Sequence, residues 1–354
     1  MATEKIKVFV VEDSPVVRML LTHVLNADVQ LEVIGTADNG ETAVTEVTRQ
    51  KPDVVVMDVY MPKMDGFEAT RRIMETAPLP IIICSASLKR DEVDATFRAL
   101  DAGAVGFVEK PVGPGHARFD EMVKELVGTV KLMSEVKVIR RWARNRFRPP
   151  APAPAAPIVP ARSAAGQIQL VAIGASTGGP PVIQTILTGL PKPFPVPVLI
   201  VQHIAAGFLE GMVDWLRTTT GHPVQLGVHG APLLPGCVYL APDGFHMGVL
   251  PGNRILLSKD PPENGLRPAV AYLFRSVAQV MAANAVGVLL TGMGKDGAEE
   301  LKLLKTNGAV TIVQDAETSI VHGMPGEAIR LGAASYVLPA DQIAGTQAGL
   351  VQRP

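Results

Sequence analysis

The chain has 354 residues, a length that predicts two or three domains. A hydrophobic fraction of 47%, with 19% charged residues and a net charge of −1, describes a globular protein with sizeable cores and no global charge to draw it to nucleic acid or a membrane surface. Two cysteines without paired spacing, Cys84 and Cys237, argue against a disulfide framework or a cysteine metal site.

The opening segment, MATEKIKVFVVED, carries charges where a signal peptide needs an apolar core, and no apolar run approaches a membrane span. A cytoplasmic chain is therefore expected, without direct membrane insertion. From here β and α patterns alternate. Lys7–Val11 reads as a strand ending at Glu12-Asp13, and Val16–Leu21 follows with a helical pattern. Val54–Met57 ends at Asp58, Ile81–Cys84 at Ser85, and Gly106–Glu109 at Lys110-Pro111. Such alternation predicts a parallel sheet covered on both faces, with ligands at the carboxyl ends of its strands. Glu12, Asp13 and Asp58 would converge there and repel one another. A hard divalent cation such as Mg²⁺ relieves that repulsion, and Lys110 adds a fixed positive charge. A carboxylate left nucleophilic in such a setting is a candidate phosphoryl acceptor.

Pro149–Pro160 reads PPAPAPAAPIVP, the composition of a semi-rigid linker. A basic stretch precedes it: Lys137, Arg140, Arg141, Arg144, Arg146 and Arg148. It reads as a solvated helix end or as a docking site for an acidic partner.

The alternation resumes after Gln167. Strands are predicted at Leu170–Ile173, Val198–Val201, Val238–Leu240, Val286–Leu290 and Ala309–Val313. Helical patterns cover Phe208–Leu216, Tyr272–Met281 and Ala298–Leu304. Pro251-Gly252-Asn253 reads as a turn between short strands at Met247–Leu250 and Ile255–Ser258. Gly174-Ala175-Ser176-Thr177-Gly178 matches G-x-S-x-G between a strand and a helix pattern, which on its own reads as a plain tight turn or as a nucleophile elbow. Such an elbow exposes a serine oxygen and leaves the next N–H, that of Thr177, free to stabilise an oxyanion. A phosphate cradle is disfavoured, because Gly179 leads into Pro180-Pro181 with no P-loop lysine. His203 and Asp296 also follow predicted strands, at the same sheet edge as Ser176. The remaining histidines, among them His229, His246 and His322 in expected loops, read as structural residues or substrate contacts. Gly292–Gly297 competes as a G-x-G-x-x-G dinucleotide fingerprint, with Asp315 downstream, but falls late in its domain. The order Ser, His, Asp differs from the Ser, Asp, His order of α/β-hydrolases.

VVEDS, VVVMDVYMPKMDG, SAS and FVEKP resemble the response-regulator receiver domain over about residues 4–130. The resemblance implies Asp58 as phosphoacceptor, Mg²⁺ on Glu12, Asp13, Asp58 and the Tyr60 carbonyl, and Ser85, Phe107 and Lys110 as switch residues. IGASTGG, VQHI, APDGFHM, RPAVAYLFRSVA, LLTGMGKDGA and QDAETSIVHGMPGEA resemble the effector of the chemotaxis protein-glutamate methylesterase family, CheB, over about residues 168–345. By that likeness Ser176 is the nucleophile, His203 the base and Asp296 the orienting acid, with Thr177 and Met293 supplying oxyanion N–H groups. The chain departs from the family at Ala269 and Ala271, where serine and aspartate are common, and at Gly326, where arginine is common.

The fold class expected is α/β: a flavodoxin-like receiver at 4–130, a linker at 131–166, and a Rossmann-like methylesterase domain with a β-hairpin at 167–348. The implied function is phosphorylation-controlled hydrolysis of glutamate γ-methyl esters on methyl-accepting chemotaxis receptors, with deamidation of receptor glutamines and no cofactor for the hydrolysis. A chemotaxis histidine kinase would be the phosphodonor and the chain a monomer. Two other classes are a silent binding module and a DNA-binding regulator, the latter disfavoured by the lack of a recognition helix or strong basic excess.

Overall fold

The computed structural model describes residues 5–85, 96–100, 102–136 and 167–352. The basic stretch and the Pro/Ala-rich segment lie outside these residues. The chain divides into two compact units, Met1–Ser163 and Ala164–Pro354. Among the described residues, no helix is long and apolar enough to cross a membrane.

The first unit holds β1 (Ile6–Val11), β2 (Leu31–Ala37), β3 (Val54–Met57), β4 (Ile81–Ser85) and β5 (Gly106–Glu109). They form one sheet in the order β2-β1-β3-β4-β5, every pair parallel. Central strands of a sheet covered on both faces read as unbroken apolar runs. Val54-Val55-Val56-Met57 is such a run, and every residue in it is fully buried. The strand order reverses between β1 and β3, so the crevice at that switch point opens between Glu12-Asp13 and Asp58. The carboxyl end of β3 turns tightly: Gly66 N–H donates to the Val59 carbonyl at 2.8 Å. A Cβ on Gly66 would meet the Asp58 carbonyl oxygen at 2.0 Å, so only glycine admits this approach. Asp65 caps the following helix, Gly66–Thr76, by accepting the Glu68 N–H at 2.8 Å.

The second unit holds seven parallel strands in the order β14-β13-β12-β6-β7-β9-β8. They are β6 (Leu170–Ala175), β7 (Val198–Gln202), β8 (Val224–Leu226), β9 (Val238–Leu240), β12 (Ala285–Leu289), β13 (Val310–Gln314) and β14 (Tyr336–Leu338). The chain moves outward from β6 toward β7 and, later, from β12 in the opposite direction. Right-handed crossovers therefore put the two sets of helices on opposite faces. Gly179–Gly189, Leu209–Thr220 and Ala340–Val351 pack together as one layer; Val270–Val280, Ala298–Thr306 and Met324–Arg330 form the other. The expected hairpin is present as β10 (His246–Leu250) and β11 (Arg254–Ser258), antiparallel and packed on the helix Val270–Val280. Strands β2, β8 and β14 were not among the predicted strands: β2 contains Glu32 and Gly35, and β8 and β14 span three residues each at sheet edges. His246 was expected in a loop; it is the first residue of β10 and is fully buried.

Candidate active site and receiver site

Register assembles the second unit's site. Ala175 pairs with Gln202 and Gly174 with Leu289, so the chains leaving β6, β7 and β12 emerge side by side. The His203 N–H donates to the Ala175 carbonyl and the Ser176 N–H to the Thr291 carbonyl, both at 3.0 Å. Ser176 is half-buried and opens a tight turn, closed by Gly179 N–H on the Ser176 carbonyl at 2.8 Å. Gly178 adopts φ +77° in that turn, where L residues are strained. Gly292 lies against the elbow so closely that a Cβ there would come within 2.7 Å of the Ser176 Cβ.

The third group is Asp296, only 5% exposed. Its Oδ2 accepts the Val270 N–H at 2.6 Å, and its Oδ1 the Ala271 N–H at 3.1 Å. These are the first two N–H groups of the helix Val270–Val280, whose own N-cap residue, Ala269, offers no side-chain acceptor. A carboxylate at a helix N-terminus is favoured by unpaired N–H groups and by the helix dipole. His203 Nε2 lies 3.0 Å from Asp296 Oδ2, although its N–H is not aligned on that oxygen. Catalytic hydrogen bonds are often loose without substrate. Burial pushes the Asp296 pKa up, but His203 and the two backbone donors outweigh it and hold the carboxyl below its ordinary value.

A polar network braces the elbow from behind. Thr291, fully buried, donates from its hydroxyl to the Thr177 carbonyl at 3.0 Å and accepts the Val321 N–H at 2.9 Å. Gln314 accepts the Thr291 N–H at 2.8 Å and donates to the Thr318 carbonyl at 2.8 Å. Among the described residues, neither the Thr177 nor the Met293 N–H has an acceptor, while the Met293 side chain is 62% exposed. His246 accepts the Ala269 N–H on Nδ1 at 3.2 Å and meets the Pro261 carbonyl through Nε2 at 3.1 Å. It thereby ties the hairpin to the segment that caps Asp296, which rules out the substrate contact considered for it. His322 is half-buried in the loop paired with Gly292, and its ring lies beside Gly326, 3.1 Å from where a Cβ would stand. Burial lowers its pKa.

The G-x-G-x-x-G match has another cause here. Gly294 and Gly297 take φ of +81° and +80°, and a Cβ on Gly297 would strike Val270 at 2.3 Å. The glycines thus serve the turn that sends Asp296 inward.

In the first unit, Glu12 and Asp58 are buried and Asp13 is exposed. One ligand oxygen from each lies within 4.8 Å of the others. Lys110 Nζ stands 2.8 Å from both Glu12 Oε2 and Asp58 Oδ1. Burial raises the pKa of Glu12 and of Asp58 despite Lys110, and the two acids keep the Lys110 pKa above its ordinary value despite its own burial. Ser85, 2% exposed, ends β4, and its carbonyl accepts the Lys110 N–H at 2.8 Å. Phe107, on β5, meets Phe97 edge to face at 6.1 Å between ring centres. Tyr60 follows two residues after Asp58 and is 48% exposed.

Two family models match this chain: CheB methylesterase over residues 171–346 and response regulator receiver domain over residues 8–120. Protein-glutamate methylesterase/protein-glutamine glutaminase 1 of Syntrophus aciditrophicus is 55% identical over 340 residues, 96% of each chain. The chain belongs to the protein-glutamate methylesterase/protein-glutamine glutaminase family. A second family member, number 4 of Geobacter metallireducens, is 56% identical over 342 residues, again 96% of each chain. The crystal structure of the Thermotoga maritima CheB methylesterase catalytic domain matches with a TM-score of 0.51 at 38% identity, covering 52% of this chain and all of that one. The likeness to family members thus spans both units.

Sequence reasoning placed Ser176, His203 and Asp296 at one sheet edge, and the structure also brings them to one edge. It missed Gln202, Thr291 and Gln314, whose signal is a polar side chain inside or just beyond an otherwise apolar strand.

Because the Asp296 pKa is lowered on folding, its contribution to stability is fully present above the ordinary carboxylate value of about 3.8 and is lost as pH falls through the folded value. The gap in unfolding midpoint between the native protein and Asp296→Asn is therefore predicted to narrow as pH falls below about 4, as read by denaturation in a pH series. A gap that stays unchanged through the acid range would mean that folding does not lower the Asp296 pKa.

Proposed function

We propose that Ser176, His203 and Asp296 form the catalytic triad of a carboxylic ester hydrolase acting on glutamate γ-methyl esters of chemoreceptors. The observation that carries the reading is the juxtaposition of three strand ends: a serine elbow, a histidine just beyond the adjacent strand, and a buried carboxylate 3.0 Å from that histidine. His203 presents Nε2 to Asp296, which leaves Nδ1 as the nitrogen that takes the Ser176 proton. The serine oxygen attacks the ester carbonyl. The Thr177 and Met293 N–H groups receive the negative charge that develops on the carbonyl oxygen. The imidazolium, stabilised by Asp296, returns its proton to the leaving methoxide, and methanol departs. Water then attacks the acyl-serine with His203 again as base, releasing the γ-carboxylate. With ammonia as leaving group, the same steps deamidate a glutamine, an activity that the relatives' names also carry.

Asp58 is proposed as the phosphorylated residue that controls the effector. Glu12, Asp13 and Asp58, with the Tyr60 carbonyl, suit Mg²⁺: three oxygen donors stand together, and the raised pKa values of two of them mark repulsion and burial that a cation would relieve. Bound there, Mg²⁺ would supply positive charge opposite an incoming phosphoryl group. In this reading Lys110, which already contacts Asp58, pairs with that group, Ser85 hydrogen-bonds it and Phe107 acts as the switch aromatic. The phosphodonor is proposed to be a chemotaxis histidine kinase. The protein is proposed to work in the cytoplasm as a monomer, with a receiver at 4–130, a linker at 131–166 and an effector at 167–348.

Ser176→Ala and His203→Gln are each predicted to lower kcat by about 10⁴-fold or more, because triad members act as a unit. Methanol released from carboxymethylated receptor membranes measures this, and near-normal turnover of Ser176→Ala would overturn the serine mechanism. Labelling by a small phosphodonor such as acetyl phosphate should disappear in EDTA and in Asp58→Asn. Equal labelling of Asp58→Asn would move the acceptor elsewhere.

A further inference from the structure

Gln202 ends β7, a strand otherwise written Val-Leu-Ile-Val, and is 5% exposed. Its Nε2 donates to the Ser176 carbonyl at 2.7 Å and to the His203 carbonyl at 2.8 Å, so both amide protons are used. Its Oε1 is buried with no partner among the described residues. A Cβ on Gly179 would lie 2.1 Å from that oxygen, which shows how tightly the amide is lodged. An unpaired buried acceptor is a penalty that an apolar side chain of the same shape would avoid. The two donor bonds, not the acceptor, are the reason for a glutamine here.

The Ser176 carbonyl and the Thr177 N–H belong to one peptide unit, which is planar and trans. Pinning the carbonyl toward Gln202 aims the N–H the opposite way, where among the described residues no acceptor meets it. The second bond fixes the backbone of the residue that carries the base. We propose that Gln202 is a positioning residue that locks the Ser176–Thr177 peptide as an oxyanion donor and holds the His203 backbone in the same rigid unit. This rests on the reading of Ser176 as nucleophile.

Two variants of the full-length chain test it. Gln202→Met keeps the length and removes both donors; Gln202→Glu keeps the shape and, when ionised, has no proton to give. Each should lower kcat for methanol release from carboxymethylated receptor membranes by about 10–100-fold, with KM changed by no more than about twofold, because only transition-state alignment is lost. Affinity for phenylboronic acid, which forms a tetrahedral adduct on an active serine, should fall in parallel with kcat. A structural defect alone would not link the two. If Gln202→Met does not fold, Gln202→Glu decides. A folded variant with kcat within about threefold of native, or with kcat lowered and boronate affinity intact, overturns the proposal. Ser176→Ala is assayed beside them. Turnover surviving in Ser176→Ala would refute the underlying site, whereas a dead Ser176→Ala beside a fully active Gln202→Met would refute the role of Gln202 alone.

Discussion

The second unit depends on the parallel register of β6 with its two neighbours. Ala175 opposite Gln202 and Gly174 opposite Leu289 fix where each chain leaves the sheet. A slip of one residue in either pair would turn every side chain of that strand to the other face and carry His203 or the Thr291 turn away from Ser176. Nothing local to the serine could compensate. The elbow's own hydrogen bonds run to groups the register delivers: the Thr291 carbonyl, the Thr291 hydroxyl and the Gln202 amide. The switch point between β6 and β12 also opens the crevice, since crossovers leave in opposite directions from those two strands.

Asp296 links this geometry to electrostatics. Burial alone would push the Asp296 carboxyl to take up a proton. The His203 imidazole, and after it two backbone N–H groups at the start of the helix Val270–Val280, reverse that tendency. The helix in turn lacks a side-chain cap of its own, because Ala269 stands at that position. The aspartate and the helix thus complete each other. His246 holds the capping segment from the hairpin side. The departure at Ala271 does not disturb this arrangement, since residue 271 contributes its backbone N–H. In the first unit the balance runs the other way: Glu12 and Asp58 are buried beside each other, and a single lysine leaves their pKa values raised. That unit is poised to gain positive charge, whereas the Asp296 carboxylate already has two backbone donors.

Much of this was legible in the sequence because parallel strands buried on both faces are unbroken apolar runs, and their polar followers mark the functional edge. Glu12, Asp58, Lys110, Ser176 and His203 all stand at or just after such runs. Edge strands were less legible: β8 and β14 are three residues long, and the apolar run of β2 is broken by Glu32 and Gly35. The bracing residues were also missed. Thr291, Gln314 and Gln202 bond to backbone groups that are distant in sequence, and no spacing rule reveals which carbonyl a buried amide will meet. His246 illustrates the same limit: a motif histidine expected in a loop is the first residue of a hairpin strand and is fully buried.

The central claim is that the strand ends place two unpaired N–H groups around the oxygen that becomes charged when Ser176 attacks. A crystal structure of the full-length protein with a boronate bonded to Ser176 tests it most directly. One boronate oxygen is predicted to lie about 2.7–3.1 Å from both the Thr177 and Met293 nitrogens, with the Ser176–Thr177 peptide still bonded to Gln202. A tetrahedral adduct whose oxygens avoid both nitrogens, or a boronate bonded elsewhere, would contradict the account.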